Sequence, residues 1–317
     1  MKVEAIEAYG SWNIATPTVP PRSELYCLAP IGVGSAQVEG LASYLMRLAE
    51  AHHVELGALM DLVGAYLPDP CRCRVPALRI QRLCERWREM PSIEFTLKDW
   101  VWATEKLTLK TNLGLLTMLE WAELIDLSSV YRYERTWCPS CYEEWAAAEQ
   151  PIYEPLLWNV KEVRLCTRHL RPLRRECNYC CRIQSTVLRS SRAGYCALCG
   201  SWLGAVKGGD TLPRGLDPER QKWAVLNIQT LASATADLSR RLRRWQLTAR
   251  LRAIERSNFR LFAKRPIYEI RAYLNGERPP SLALLLDLCW ELEIGLSDFL
   301  TSDTVWSPPR SAIHISP

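Results

Sequence analysis

Apolar positions recur at helical spacing over most of this chain. From Ser35 onward, Val38, Leu41, Leu45, Leu48 and Ala49 fall on one helical face. Ser35 reads as the N-cap, with the acidic Glu39 in the first turn. Leu56 to Leu67 repeats the pattern and meets a breaker at Pro68. His53-Val54-Glu55 joins the two segments as a helix-turn-helix pair. Further helices are predicted at Ala77–Glu89, Leu97–Glu105 and Leu113–Leu124, and no strand-like alternation precedes residue 130. Pro17, Pro20, Pro21 and Pro30, with Gly32 and Gly34, make residues 1–35 an extended segment. Its apolar Leu25, Tyr26, Leu28 and Ile31 predict that it docks on a surface rather than standing in water.

Residues 131–205 break the helical pattern and hold short strand-like pieces such as Val160–Leu165. The stretch KGGDTLPRGLDPERQ at 207–221 has the glycine and proline content of a linker. Helices follow at Trp223–Leu238 and Ser239–Leu261. Pro266 can open another, which Asn275-Gly276 ends as a C-cap. Ser281 caps a helix to Leu292, Gly295 closes it, and Ser297 caps a last short turn. The expected fold is mainly α. It comprises an extended segment (1–35), a helix-turn-helix-like domain (36–130), a double zinc-finger domain (131–205), a linker (206–222), a second helical, helix-turn-helix-like domain (223–306) and a tail (307–317).

Composition narrows the class. At 48% apolar and 24% charged over 317 residues, the chain is not a disordered tail, a collagen-like fibre or a coiled-coil rod. No run of 18 apolar residues offers a membrane span. The start, MKVEAIEAYGSW, lacks the apolar region of a secretory signal, which predicts a reducing cytoplasm. Charge is unevenly divided: residues 1–157 carry 14 basic and 21 acidic side chains, residues 158–317 carry 26 and 14. The second half is therefore suited to a polyanion and the first is not.

Eight of the thirteen cysteines lie between Cys138 and Cys199. Cys138-Pro-Ser-Cys141 and Cys166-Thr-Arg-His169 form one set of ligand type. Cys177-Asn-Tyr-Cys180 and Cys196-Ala-Leu-Cys199 form a second. Two intervening residues let a tight turn aim both ligand atoms at one point, and two such turns close a tetrahedron of the kind structural zinc accepts. Four protein ligands leave no position for a reactive water, so two structural Zn2+ ions are expected to fold this region rather than catalyse. Cys181 is the alternative to Cys180, though spacing favours Cys180, and an iron–sulfur cluster is the alternative occupant of the all-cysteine set. Cys71 and Cys73 lack a partner pair and read as non-ligating. Cys27, Cys84 and Cys289 read as free core residues, and His52 and His53 as surface or helix-end residues. Glu143 and Glu144 read as solvated.

Between Ser239 and Arg271 there are eleven Lys or Arg and two acidic residues. Arg240, Arg241, Arg243, Arg244, Arg256, Lys264 and Arg265 belong to this run, and so many cations cannot all pair internally. The predominance of arginine suits bidentate phosphate contacts. Most of the thirteen tryptophans, including Trp100, Trp102, Trp121 and Trp158, are assigned to the core rather than to a stacking platform. No phosphate-binding loop, nucleophile elbow or zinc-protease motif is present, so no enzymatic activity is expected.

The string RTWCPSCYEE…PLLWNVKEVRLCTRHLRPLRRECNYC, from Arg135 to Cys180, resembles the TniQ/TnsD family of transposon target-selection proteins. PRSELYCLAPIGVG and LASYLMRLAEAH extend the resemblance toward the N-terminus, so that it covers most of the chain. It implies the same eight ligands and an adaptor role without catalysis. The adaptor would link a Cascade-type RNA-guided complex, with its guide RNA and target DNA, to the AAA+ ATPase TnsC and the transposase. The alternative is a TnsD-type protein that reads a fixed attachment site. A homodimer and a place in the bacterial cytoplasm, at the nucleoid and away from membranes, go with either. The segment PIYEIRAYLNGERPPSLALLLDLCWELEIGLSDFL looks like the second half of a repressor-type helix-turn-helix. In that pattern Pro266–Leu274 is the recognition helix, and Lys264, Arg265, Tyr268 and Arg271 face a groove. The usual glycine turn ahead of that helix is missing.

Overall fold

A computed structural model describes residues 22–67, 93–204, 217–235, 241–263 and 265–301. The helix expected at Ala77–Glu89, Cys71, Cys73, Cys84, Arg240, Lys264 and the tail lie outside the described residues. Among those described, ten α-helices and four 3₁₀ turns are found, with isolated antiparallel bridges and no strand. The mainly α class is thus observed. Val160 and Leu165, read as part of a strand, each make a single bridge, to Tyr131 and Pro172.

Helix α1 (Leu41–Ala51) begins six residues after Ser35. The Ser35 hydroxyl donates to the Gly32 carbonyl at 2.7 Å and accepts from the Gln37 amide, so Ser35 stabilises a turn instead of capping a helix. Gly32, at φ 68°, supplies the left-handed residue that turn requires. Glu39 is consequently buried ahead of the helix, where it accepts from the Ser43 hydroxyl and from Arg47. Burial pushes its carboxyl above the ordinary value, against the pull of Arg47. Helix α2 (Leu56–Ala65) follows, and α3 (Ile93–Thr108) packs against it. The N-terminal segment does dock: Leu25 is buried, and its amide donates to the Leu107 carbonyl at the end of α3. Tyr26 stays exposed, stacked on His52, and Cys27 is exposed rather than core.

The helix expected at Leu113–Leu124 is instead two 3₁₀ turns, Leu113–Leu116 and Leu119–Trp121. Thr117 causes the break. Its backbone is extended, while its hydroxyl donates to Gly114 and accepts from the Leu119 amide, a local alternative to the helical ladder. Helix α4 (Leu127–Val130) is capped by Asp126, and α5 (Pro139–Ala147) carries the first two cysteines.

The stretch 207–221 falls mostly outside the described residues. Its end is already helical, because Asp217 accepts from the Glu219 and Arg220 amides and Pro218 occupies the first position of α6 (Pro218–Ala234). Helix α7 (Arg244–Ser257) is shorter than expected at both ends and gives way to a 3₁₀ turn at Phe259–Phe262. Helix α8 (Ile267–Asn275) ends at Gly276, which at φ 72° is the predicted left-handed C-cap. Helix α9 (Leu282–Glu291) starts at Ser281, whose hydroxyl accepts from the Leu284 amide. Helix α10 (Leu296–Thr301) begins before Ser297, which lies inside it and accepts from Thr301 rather than capping.

One hydrophobic cluster runs from Leu25 to Leu300 and includes buried residues of both halves of the chain. Polar bonds cross it: Trp121 Nε1 donates to Thr235 at 2.9 Å, the Asp126 amide to the Pro280 carbonyl, and Gln221 to the Glu162 carbonyl. A second cluster, with Trp137, Tyr142, Trp145, Tyr153, Trp158 and Leu203, surrounds the cysteines. Trp100, Trp121 and Trp158 are core, as expected, whereas Trp102 is 43% exposed.

Candidate metal centres and cationic face

Three of the four ligand pairs share one backbone design. In each, the amide of the first ligand bonds the carbonyl five residues on: Cys166 to Arg171, Cys177 to Arg182, Cys196 to Ser201. The residue four positions on donates back to the first ligand's carbonyl: Leu170 to Cys166, Cys181 to Cys177, Gly200 to Cys196. Each of those residues has positive φ, at 52°, 55° and 73°. Cys181 stands outside both groups. It occupies the left-handed turn position, exposed, where its neighbours in the other knuckles are Leu170 and Gly200. The fourth pair is built differently, with Cys138 as the N-cap of α5 and Cys141 in its first turn.

The knuckles bring all eight predicted ligands into two groups. Cys138, Cys141, Cys166 and His169 form one, and Cys177, Cys180, Cys196 and Cys199 the other. Within each group all ligand atoms lie within 4.8 Å of one another. His169 Nδ1 is 3.4, 3.3 and 3.6 Å from the sulfurs of Cys138, Cys141 and Cys166, and the Cys141 and Cys166 sulfurs are 3.6 Å apart. In the second group Cys177–Cys199 is 3.7 Å and Cys180–Cys196 is 3.8 Å. Metal–sulfur bonds of about 2.3 Å imply tetrahedral edges of about 3.8 Å, so both groups are the size of a four-coordinate ion.

The thiols also need a cation electrically. Hydrogen bonds from Cys138 and Cys141 draw the Cys166 thiol down to about 3, while the same network drives Cys141 far up. In the second group the Ser201 hydroxyl draws Cys199 down to about 6, and burial pushes Cys196 up to about 12. Sulfurs this close cannot all ionise without a positive charge between them, and both groups could hold a metal ion.

Two features around the ligands were not legible. Glu144 accepts from His169 Nε2 at 2.6 Å and from Arg168 at 2.8 Å. It fixes the ring so that Nδ1 faces the sulfurs, and the contact with His169 holds its carboxyl below the ordinary value. Glu143 accepts from Trp202 Nε1 at 2.6 Å. The pair is exposed, as read, yet Glu144 backs the first centre and Glu143 holds Trp202. Second, Arg135 is fully buried and pairs with Glu154. It also donates to the carbonyls of Tyr195 and Arg192, while Tyr142 donates to Glu154 and the Glu154 amide donates to Ser43. This pair bolts α1, the first centre and the second centre together.

The cationic residues divide. Arg241 lies near Glu120 and Glu123, Arg243 lies near Glu123, the Arg244 amide donates to Glu123, and Arg265 pairs with Asp287 at 3.1 Å. Internal pairing thus absorbs several of the arginines placed at an interface. Arg256, Tyr268 and Arg271 are exposed on α7 and α8.

The middle of the described chain thus holds two four-residue groups, one of three cysteines and a histidine and one of four cysteines. No described helix is long and apolar enough to cross a membrane. Residues 30–173, less than half of the chain, match the TniQ family model. Residues 30–173 thus carry a TniQ domain, which points to a transposition-related target-selection protein. The match is shorter than the resemblance read from the sequence. It takes in the whole first centre and stops before the second. No curated protein matches the chain.

Proposed function

We propose that the protein is a non-catalytic adaptor in transposon target-site selection, linking a Cascade-type RNA-guided complex and its target DNA to TnsC and the transposase. The TniQ match carries this reading. Two zinc ions hold the middle of the molecule, since three thiolates with one imidazole, and four thiolates, suit zinc in closed structural sites. The acidic first half and basic second half give the adaptor two faces of opposite character. Arg256, Tyr268 and Arg271 on the basic side are the contacts left to a polyanion.

A TnsD-type reading, direct recognition of an attachment site, draws support from α8. Ile267, Tyr268, Arg271 and Asn275 form its exposed stripe, in the place of a recognition helix. Against it, the helix that should precede α8 is reduced to the 3₁₀ turn Phe259–Phe262. A gel-shift and pull-down comparison at physiological salt decides. As an adaptor, the purified chain binds TnsC or the RNA-guided complex and shows no preference among duplexes. A duplex carrying the attachment site bound far above random DNA establishes the alternative.

A further inference from the structure

We propose that the outer face of α7 and α8 binds single-stranded nucleic acid, with Trp245 as the platform for an unpaired base. The proposal rests on the reading of the basic C-terminal helices as a nucleic-acid surface and names the form of ligand they take.

Trp245 lies in the first turn of α7 and is 70% exposed, whereas Trp100, Trp121, Trp137, Trp145 and Trp158 are buried. It heads a line of exposed positions at Trp245, Ala249, Arg252 and Arg256, which helical spacing places on one face. The opposite face, Leu247, Leu251 and Ile254, is in the core. Ala249 is one turn from the indole, so no large side chain of its own helix covers the ring. Arg252 Nε donates to the Leu274 carbonyl at 2.7 Å, and Thr248 lies against Gly276, so this side of α7 adjoins the end of α8. The exposed stripe of α8 contributes Tyr268, 68% exposed, and Arg271, and the turn between the helices adds the exposed Phe259 and Arg260. Aromatic rings thus alternate with arginines across two joined helices.

That mixture selects its ligand. Guanidinium groups alone would suit the phosphates of a duplex, but in a duplex every base face is covered by its neighbour and none is offered to an indole. A single strand supplies both phosphates for Arg252, Arg256 and Arg271 and unstacked base faces for Trp245. The opposing acidic groups are few. Glu255 and Glu269 are half-buried, Glu269 accepts from Tyr273 and lies near Arg278, and Glu277 is exposed at the end of α8.

The test uses the full chain and labelled oligo(dT), oligo(U) and a random duplex, with binding followed by fluorescence anisotropy over a salt series. The key variant is Trp245→Lys, which removes the ring and adds a positive charge. Single-strand binding should fall roughly tenfold in this variant, with duplex binding equal or stronger and the melting temperature unchanged. Trp245→Phe should retain most of the affinity, and Arg256→Ala should flatten the salt dependence. Equal affinity for oligo(dT) and oligo(U) is expected, because neither stacking nor phosphate contact uses the sugar hydroxyl. Single-strand binding by Trp245→Lys at or above the wild-type level overturns the proposal. So does duplex binding without single-strand binding, which leaves the target-DNA reading intact. Loss of a protein partner with unchanged oligonucleotide binding overturns it in favour of a protein-docking face.

Discussion

The two candidate metal centres share one knuckle design in different surroundings. The first is enclosed: Cys138, Cys141 and Cys166 are fully buried, Tyr142, Trp145 and Trp158 pack in the same cluster, and Glu144 backs the single histidine. The second lies at the edge, with Cys196 buried, Cys180 half-buried and Cys199 exposed. Ligand spacing sets where an ion can sit, and the neighbouring side chains set how firmly it is tied to the rest of the fold. The first centre lies inside the aromatic core, while the second joins that core through Cys177 and Cys196 and leaves Cys199 at the surface. The TniQ match stops between them, so the enclosed centre belongs to the family domain and the open one lies beyond it.

This contrast can be broken in steps. The largest effect is expected from Cys138→Ser, which removes a ligand at the head of α5. A structural zinc contributes about 10–16 kcal/mol of apparent binding energy. Residues 131–205 should lose their tertiary structure, with near-ultraviolet circular dichroism collapsing and metal content by mass spectrometry falling below one ion per chain. A folded chain still holding two ions would refute the assignment. Next comes Arg135→Met, which strands the Glu154 carboxylate in the core and should cost about 3–5 kcal/mol in denaturant unfolding. The double variant with Glu154→Leu should recover part of that loss, and no recovery would mean that Arg135 acts mainly through the Tyr195 and Arg192 carbonyls. Cys199→Ser should be milder, with one ion lost, the other retained, and most of the fold standing. In the unmodified chain a chelator should likewise strip the second centre first, and equal release rates would erase the distinction drawn here. The smallest effect belongs to Glu144→Gln. It should weaken metal binding at the first centre roughly 10–100-fold while leaving the melting temperature of the metal-loaded protein nearly unchanged.

The two groups of cysteines and histidine were legible in the sequence because their geometry is local. Two residues between ligands fix a turn, and paired turns fix a tetrahedron. The caps at Ser281 and Gly276 were readable for the same reason. What escaped depends on partners distant in the chain or on competition among local bonds. Nothing near Arg135 in sequence announces Glu154 or the Tyr195 carbonyl. Glu143 and Glu144 look like any exposed acidic pair until Trp202 and His169 are brought to them. Ser35 has the composition of a cap and instead holds a turn, and Thr117 splits an expected helix through its own hydroxyl. A count of tryptophans says core, and only the placement of α7 shows that Trp245 was left outside.

The hydrophobic cluster that runs from Leu25 to Leu300 joins described residues of two oppositely charged halves in one interior. In the proposed adaptor, a ligand captured at one end would be presented to the other at a set angle and span, as by a mason's square. An adaptor built on that shared interior would inherit its dimensions from it, so a slackened bond such as Trp121 to Thr235 would blur the proposed spacing between recognition and recruitment.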